Sequence, residues 1–463
     1  MRKLLLQLFM LLTCLSMAVT AQAKSLALEF RDAYLTSVAA ASCLGVYTPY
    51  DSTEFSYMRY HGWEVVPYTQ KEEGVKAYYS VAKNSCPQSN QVVYMVTVKG
   101  SSTKGDWKIN FQTGQVNFGG EDIATMQELA EQPKIEDGPA VHRGFNTYTN
   151  VILNNSVVDE EGNLQGLYKL VKEDPNSYLI LTGHSLGGAV ATLLGERLLS
   201  LGMPADKLMV ITFGAPAIGN EAFAEAYGDR MLLLRVTNTA DPVPGSLQTF
   251  FGGYKQFGEN IKYSISARNS DKQHDISLYT DHSISRYHAI FDEAVHAGMD
   301  SYLPYRRENS DAPLVALWIQ SAPTLADKEY QPDIKRLISD EYRLLLPSYV
   351  VLDNNLDLQD YSHGDMLRAS REAGAEYALV VGIDGYQLRK NNQWYIVLDQ
   401  SLFTTQGNLL SMGHFATKVL PSMGTIHATG QIFLEAKDVL ARKLPFALEE
   451  TKLTLPNFRG EVR

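Results

Sequence analysis

Gly183-His184-Ser185-Leu186-Gly187 sets a serine between two glycines. A serine hydroxyl is a weak nucleophile until a base takes its proton and an acid orients that base. The surrounding residues show how such a serine could be presented. Tyr178 to Leu181 is an apolar run that predicts a buried strand, and Gly188, Ala189, Ala191, Leu193 and Leu194 predict a packed helix. A strand that reverses into a helix at Ser185 leaves no room for a Cβ at Gly183 or Gly187. It also lifts the hydroxyl clear of the sheet and aims the free N–H groups of the helix start at the reaction centre. The bland alternative is a Gly-Ser turn between two core elements.

That strand–G-x-S-x-G–helix pattern is the nucleophile elbow of α/β hydrolases, whose partners follow in the order Ser, Asp, His at the carboxyl ends of strands. Asp206 and Asp229 precede their strands and lie at the wrong end. Asp241 follows the strand Met231–Thr237 in a loop stiffened by Pro242 and Pro244, which makes it the expected acid; an Asp-Pro turn is the alternative. His274, His282 and His288 are the candidate bases weighed between Asp241 and the polar break at 302. His288 falls on a helical stripe with Ile284, Tyr287 and Phe291 and reads as packed core. His274 sits in a charged loop, 271–275, and reads as solvated. His282 stands at the start of a helix expected to begin near Asp281, its N-cap, and is the expected base. His184 and His142 read as structural or pocket-lining imidazoles. A tetrahedral intermediate also needs oxyanion donors. The N–H of Leu186 is one, and Ser101, after the apolar strand Gln91–Lys99, is the expected second unless Gly100-Ser101 is a plain turn.

Alternating strands and helices across 90–300 predict an α/β fold with a doubly wound, mainly parallel sheet. The chain has 463 residues, room for more than one domain. Residues 1–23 read as a signal peptide: Arg2 and Lys3, then an apolar centre from Leu4 to Leu12, then Ala21-Gln22-Ala23. The protein is therefore expected to be exported, periplasmic or secreted. Cys43 and Cys86 then remain, and a lone pair in an exported chain is expected to form a disulfide. With 41 Lys and Arg against 52 Asp and Glu, no basic patch stands out and nucleic acid is not an expected partner.

Several segments together resemble the class 3, or fungal-type, lipase family. VKGSSTKGDW is similar to its oxyanion loop, VHRGF to its V-H-x-G-F segment, and TGHSLGGAVA to its elbow. ITFGAPAIGN and VTNTADPVP resemble its strand-end and Asp loops, and HSISRYH resembles the H-x(4)-Y segment of plant-type members, which supports His282. Lys99 and Ala217 stand where the family usually has arginine. The resemblance covers roughly 40–300. It implies an α/β-hydrolase fold, a serine acyl-enzyme acting on a lipid or ester substrate, and neither metal nor cofactor. A phospholipase A1, an acyltransferase, or an envelope interaction protein that no longer catalyses are the competing readings. At the place of the family's mobile lid stand residues 103–112, where Trp107, Ile109 and Phe111 alternate as in a strand. The expectation is a short, poorly amphipathic lid, or a fixed edge segment with Trp107 packed as core.

The division expected is a hydrolase domain over 24–301, a linker over 302–313 and a smaller C-terminal α/β domain over 314–463. In the last, REAGAEYALVVGIDGY resembles the helix and strand of periplasmic curli-secretion and TolB amino-terminal-type domains. Such a domain is expected to fold alone, to be dispensable for chemistry, and to offer a surface for an envelope or protein partner.

Overall fold

The computed structural model describes residues 25–48, 55–72, 75–86, 90–101, 114–154, 164–250, 252–265, 273–296, 311–321, 331–352, 362–388, 390, 393–420 and 423–446. The signal segment, the lid segment with Trp107, and most of the linker lie outside them.

The first sheet has the order β1-β2-β3-β6-β7-β8-β9. Strands β1 (Glu64–Glu72), β2 (Val75–Cys86) and β3 (Gln91–Val98) are joined antiparallel. From β3 onward β6 (Ser177–His184), β7 (Leu208–Phe213), β8 (Leu232–Asn238) and β9 (Glu259–Tyr263) run parallel. A small ribbon, β4 (Gln115–Asn117) with β5 (Ala140–His142), stands apart. This is the doubly wound, mainly parallel sheet that the alternation predicts. Successive strand residues point to opposite faces, so each strand feeds two cores. On one face, Leu179 and Leu181 of β6 meet Val190, Leu194 and Leu198 of the helix that follows. On the other, Tyr178 and Ile180 join the first helix, α1 (Leu26–Gly45).

Helix α1 is buried nearly all round rather than one-sided, between the sheet and the helix α9 (Ile276–His296). Its small residues Ala39, Ala40, Ala41 and Ser42 permit that close approach. Arg31 and Asp32 are buried and paired with each other at 2.8 Å, which spares the core an uncompensated charge. The remaining helices of this part are α2 (Ser56–Tyr60), α3 (Ile123–Glu131), α4 (Arg143–Asn154), α5 (Leu164–Glu173), α6 (Leu186–Ser200), α7 (Glu221–Tyr227) and α8 (Val243–Phe250).

The second sheet has the order β11-β10-β12-β13-β14, with β10 (Val315–Ser321) parallel to β11 (Tyr349–Val351) and to β12 (Tyr377–Leu388). Strands β12, β13 (Gln393–Thr404) and β14 (Leu409–Lys418) form an antiparallel meander. Helices α10 (Gln331–Leu345), α11 (His363–Glu372) and α12 (Thr425–Ala441) accompany it. The two sheets are separate, but their cores are not. One continuous apolar cluster joins Phe30, Tyr34, Tyr287 and Phe291 to Ile338, Tyr342, Ile432 and Phe433. His288 on α9 is buried and bonded to Asp340 on α10 at 2.9 Å. Among the described residues, no helix is long and apolar enough to cross a membrane.

The expected Cys43–Cys86 disulfide is corrected by this architecture. Cys43 is a free, buried thiol on α1 whose Sγ lies 3.5 Å from Thr182 Oγ1, toward the carboxyl end of β6. Burial pushes that thiol up to about 12, so it is an inert core group. Cys86 pairs with Gln91 at the opposite end of the sheet. The six residue steps from Gln91 to Thr97, the β3 partner of Thr182, span about 20 Å. A disulfide tolerates a Cα separation of at most about 7 Å. Alkylation in denaturant without reductant should therefore modify both Cys43 and Cys86. Protection of the pair, reversed by reductant, would show the strand placement to be wrong.

Candidate active site

Strand β6 ends at His184, and α6 begins at Leu186. Between them Ser185 has φ 59° and ψ −126°, a conformation an L-residue holds only under constraint from its surroundings. The constraint is visible. The Ser185 N–H donates to the Phe213 carbonyl at 2.9 Å, tying the turn to β7. A Cβ at Gly183 would stand 2.2 Å from the Gly187 carbonyl carbon, and one at Gly187 would stand 2.2 Å from the Val98 oxygen. Both glycines are thus required by backbone packed against backbone.

The loop after β3 lies across this elbow. Gly100 is buried: a Cβ there would meet the His184 carbonyl oxygen at 2.5 Å and the Tyr47 hydroxyl at 2.3 Å. Ser101, half-buried, follows directly. Leu186 opens α6, where an N–H has no partner within its own helix.

Asp241 lies just past the carboxyl end of β8, and its carboxylate is fully engaged. Oδ1 accepts the Val243 N–H at 2.9 Å; Oδ2 accepts the Tyr279 hydroxyl at 2.6 Å and His274 Nδ1 at 2.7 Å. Burial and the adjacent Asp241 charge push the Tyr279 phenol far above its usual range, so it stays a donor. Gly214, at φ 56°, makes the space: a Cβ there would come within 2.8 Å of Asp241 Oδ2 and 3.1 Å of the His274 ring.

His274, not the expected His282, therefore accompanies Asp241. The reason is where α9 starts. It begins at Ile276, with the Asp275 carboxylate accepting the Ser277 N–H at 3.0 Å, so the helix opens several residues before Asp281. That leaves His274 in the turn at the sheet's carboxyl end and carries His282 into the helix. The His282 ring there meets Tyr263 edge-on at 5.9 Å, and burial lowers its basicity. The H-x(4)-Y spacing occurs twice, as His274/Tyr279 and as His282/Tyr287. Tyr279 of the first pair reaches Asp241, whereas Tyr287 of the second packs against Phe30 and Tyr34. The first copy was the available signal, hidden by the charged loop around it. Nor is His274 simply solvated, since its side chain is only 21% exposed.

His184 holds this turn in place. Its Nε2 lies 2.9 Å from the His274 carbonyl oxygen, and Tyr47 Oη lies 3.2 Å from its Nδ1. Burial and the neighbouring His274 depress His184 well below the usual imidazole range. The ring is therefore neutral, with Nε2–H donating to the carbonyl and Nδ1 accepting from the tyrosine. The two imidazole rings stand 4.5 Å apart. The Asn238 amide steadies the same turn by donating to the Gln273 carbonyl at 3.2 Å. His142 lies elsewhere: fully buried, its ring 4.2 Å from that of Phe145, it is lowered to about 4 by desolvation and acts as a neutral packing group.

With Nδ1–H committed to Asp241, Nε2 of His274 is the nitrogen that can exchange a proton. The His274–Asp241 pair and the constrained turn at Ser185 thus gather at the carboxyl ends of neighbouring parallel strands.

Residues 95–250 match the family model for lipase (class 3). Secreted mono- and diacylglycerol lipase 1 of Fusarium solani is 30% identical over 185 residues, covering 40% of this chain and 47% of that protein. Secreted mono- and diacylglycerol lipase A of Penicillium cyclopium is 33% identical over 122 residues, 26% of this chain and 37% of its own. Phospholipase A1-II 1 of Oryza sativa subsp. indica is 30% identical over 126 residues, 24% and 31% respectively. The chain spans less than half the length of these curated relatives. Through its elbow, its parallel sheet and the matched residues, the segment 95–250 is similar to the class 3 lipases, and the chain has the α/β-hydrolase fold.

Proposed function

We propose that this protein is an exported hydrolase of carboxylic esters in acylglycerols. Ser185 is its nucleophile, His274 its general base and Asp241 the acid that orients the base. The observation that carries the reading is the Asp241–His274 bond of 2.7 Å, set beside a serine at φ 59°. His274 Nε2 takes the Ser185 proton as Oγ attacks the ester carbonyl. The N–H groups of Leu186 and Ser101 receive the developing oxyanion. His274 then returns the proton to the departing alcohol, and water repeats the sequence on the acyl-enzyme. Asp241 orients the imidazole, its carboxylate held by three hydrogen bonds. The mono- and diacylglycerol lipases among the relatives support glyceride substrates; the rice phospholipase A1 supports a phospholipid acyl ester as the second reading. The leader-like first residues and the secreted fungal relatives support export.

A fluorophosphonate, which reacts with activated serines, should label the purified protein stoichiometrically at Ser185. The same preparation should release fatty acid from dispersed diacylglycerol faster than from phosphatidylcholine. Absence of labelling would defeat the hydrolase reading; a reversed preference would replace glycerides by phospholipids.

A further inference from the structure

We propose that the C-terminal unit is a positioning element for the active site, acting through Asp281, a residue that belongs to the hydrolase part. The inference rests on the Ser185–His274–Asp241 reading above. Asp281 is not the N-cap of its own helix. It lies in the second turn of α9 and caps a helix 145 residues downstream. Its Oδ1 accepts the His427 N–H at 3.0 Å and its Oδ2 the Ile426 N–H at 3.4 Å, both at the start of α12. Helix α12 needs this acceptor, because its own N-cap is Gly424 and supplies no side chain. The fit is close on both sides. A Cβ at Gly424 would stand 2.0 Å from Asp281 Oδ2, so only glycine lets the carboxylate reach the helix start.

The position of Asp281 makes this junction matter for chemistry. Two residues before it on α9, Tyr279 donates to Asp241 at 2.6 Å. Five residues before Tyr279 is His274. One residue before Asp281, Thr280 Oγ1 donates to the Ala40 carbonyl on α1 at 3.2 Å. The first two turns of α9 are thus gripped by α1 from the hydrolase part and by α12 from the C-terminal unit. The same turns set the height and tilt of the tyrosine that aligns the acid–base pair. A shift of about 1 Å in such a group can cost about a hundredfold in rate. Burial pushes the Asp281 carboxyl up to about 7, opposed by the N–H groups of Thr425, Ile426 and His427. Those donors come only from the C-terminal unit, which makes the grip a contact the hydrolase part cannot replace by itself. Asp281 touches no reacting atom; it is a positioning residue.

The test uses the full chain and a soluble p-nitrophenyl ester, with kcat expressed per fluorophosphonate-labelled serine so that unfolded protein does not count. Asp281→Ala should lower kcat about 10- to 100-fold, with KM changed by less than about twofold. Asp281→Asn, which keeps one acceptor oxygen, should restore part of the loss and guards against failure of the alanine variant to fold. Gly424→Ala alters only the C-terminal unit and should lower kcat about tenfold in the parent. It should have no further effect beside Asp281→Ala, because both act through one junction. A merely structural role would lower the unfolding midpoint and leave kcat per labelled serine unchanged. Unchanged kcat in Asp281→Asn and Gly424→Ala would overturn the inference alone. A parent protein that takes no label would overturn the reading of the site on which it rests.

Discussion

Replacing His274 by alanine should lower kcat on a soluble ester by about four to six orders of magnitude, whereas His282→Ala should leave it within a few-fold. Ser185→Ala should fall as far as His274→Ala. The double variant should be no worse than either single, because nucleophile and base act as one unit. The contrast between the two histidines is the decisive part. They are eight residues apart, each followed at the same distance by a tyrosine, and each bordered by an aspartate. His274 is bonded to Asp241 Oδ2, the oxygen that also accepts from Tyr279. His282 is half-buried against Tyr263. Circular dichroism should show both alanine variants folded, since His274 is a turn residue and His282 is only partly buried. Near-normal turnover in His274→Ala with loss in His282→Ala would reject the assignment of the base.

Ending the chain at Asp300 should abolish folding of the hydrolase part rather than leave a working esterase. The cut removes the partners of α9. Tyr57 would lose helix α12, where a Cβ added at Gly430 would stand 3.2 Å from its ring. Tyr287, Phe291 and Ile284 belong to the same apolar cluster as Ile338 and Phe433 and would lose part of their cover. Each large side chain is worth about 1.5–3 kcal/mol when wholly buried. Asp281 and His288 would also be left without α12 and Asp340, and breaking a buried polar pair costs about 3–5 kcal/mol. These losses together approach the whole stability of an ordinary domain, about 5–15 kcal/mol. The shortened chain should be insoluble, or soluble with no cooperative urea transition. A soluble product with a sharp transition and full kcat would mean that the shared core is not required.

The division between what could be read from residues and what needed three dimensions follows the range of the interactions involved. The elbow was legible because its cause is local. Gly183 and Gly187 answer steric contacts within one strand–turn–helix, and the apolar run and the small-residue helix beside them carry their own periodicities. The parallel sheet was legible for the same reason, repeated along β6, β7 and β8. Asp241 could be placed by chain order and by its position after a strand. The base could not. His274 and His282 offer the same motif, and the choice depends on where α9 begins and which tyrosine then faces Asp241 across a gap of 38 residues. The Cys43–Cys86 pairing failed similarly: the composition allows a bridge, and only the sheet puts the two residues at opposite ends. The independence of the last 150 residues was inferred from a polar break. The structure instead joins both parts in one apolar core, with Asp281 capping a helix that no local pattern connects to it. Periodicity reports which face of an element is buried; it says nothing about which distant element covers that face, because that is decided by packing between surfaces far apart in the chain.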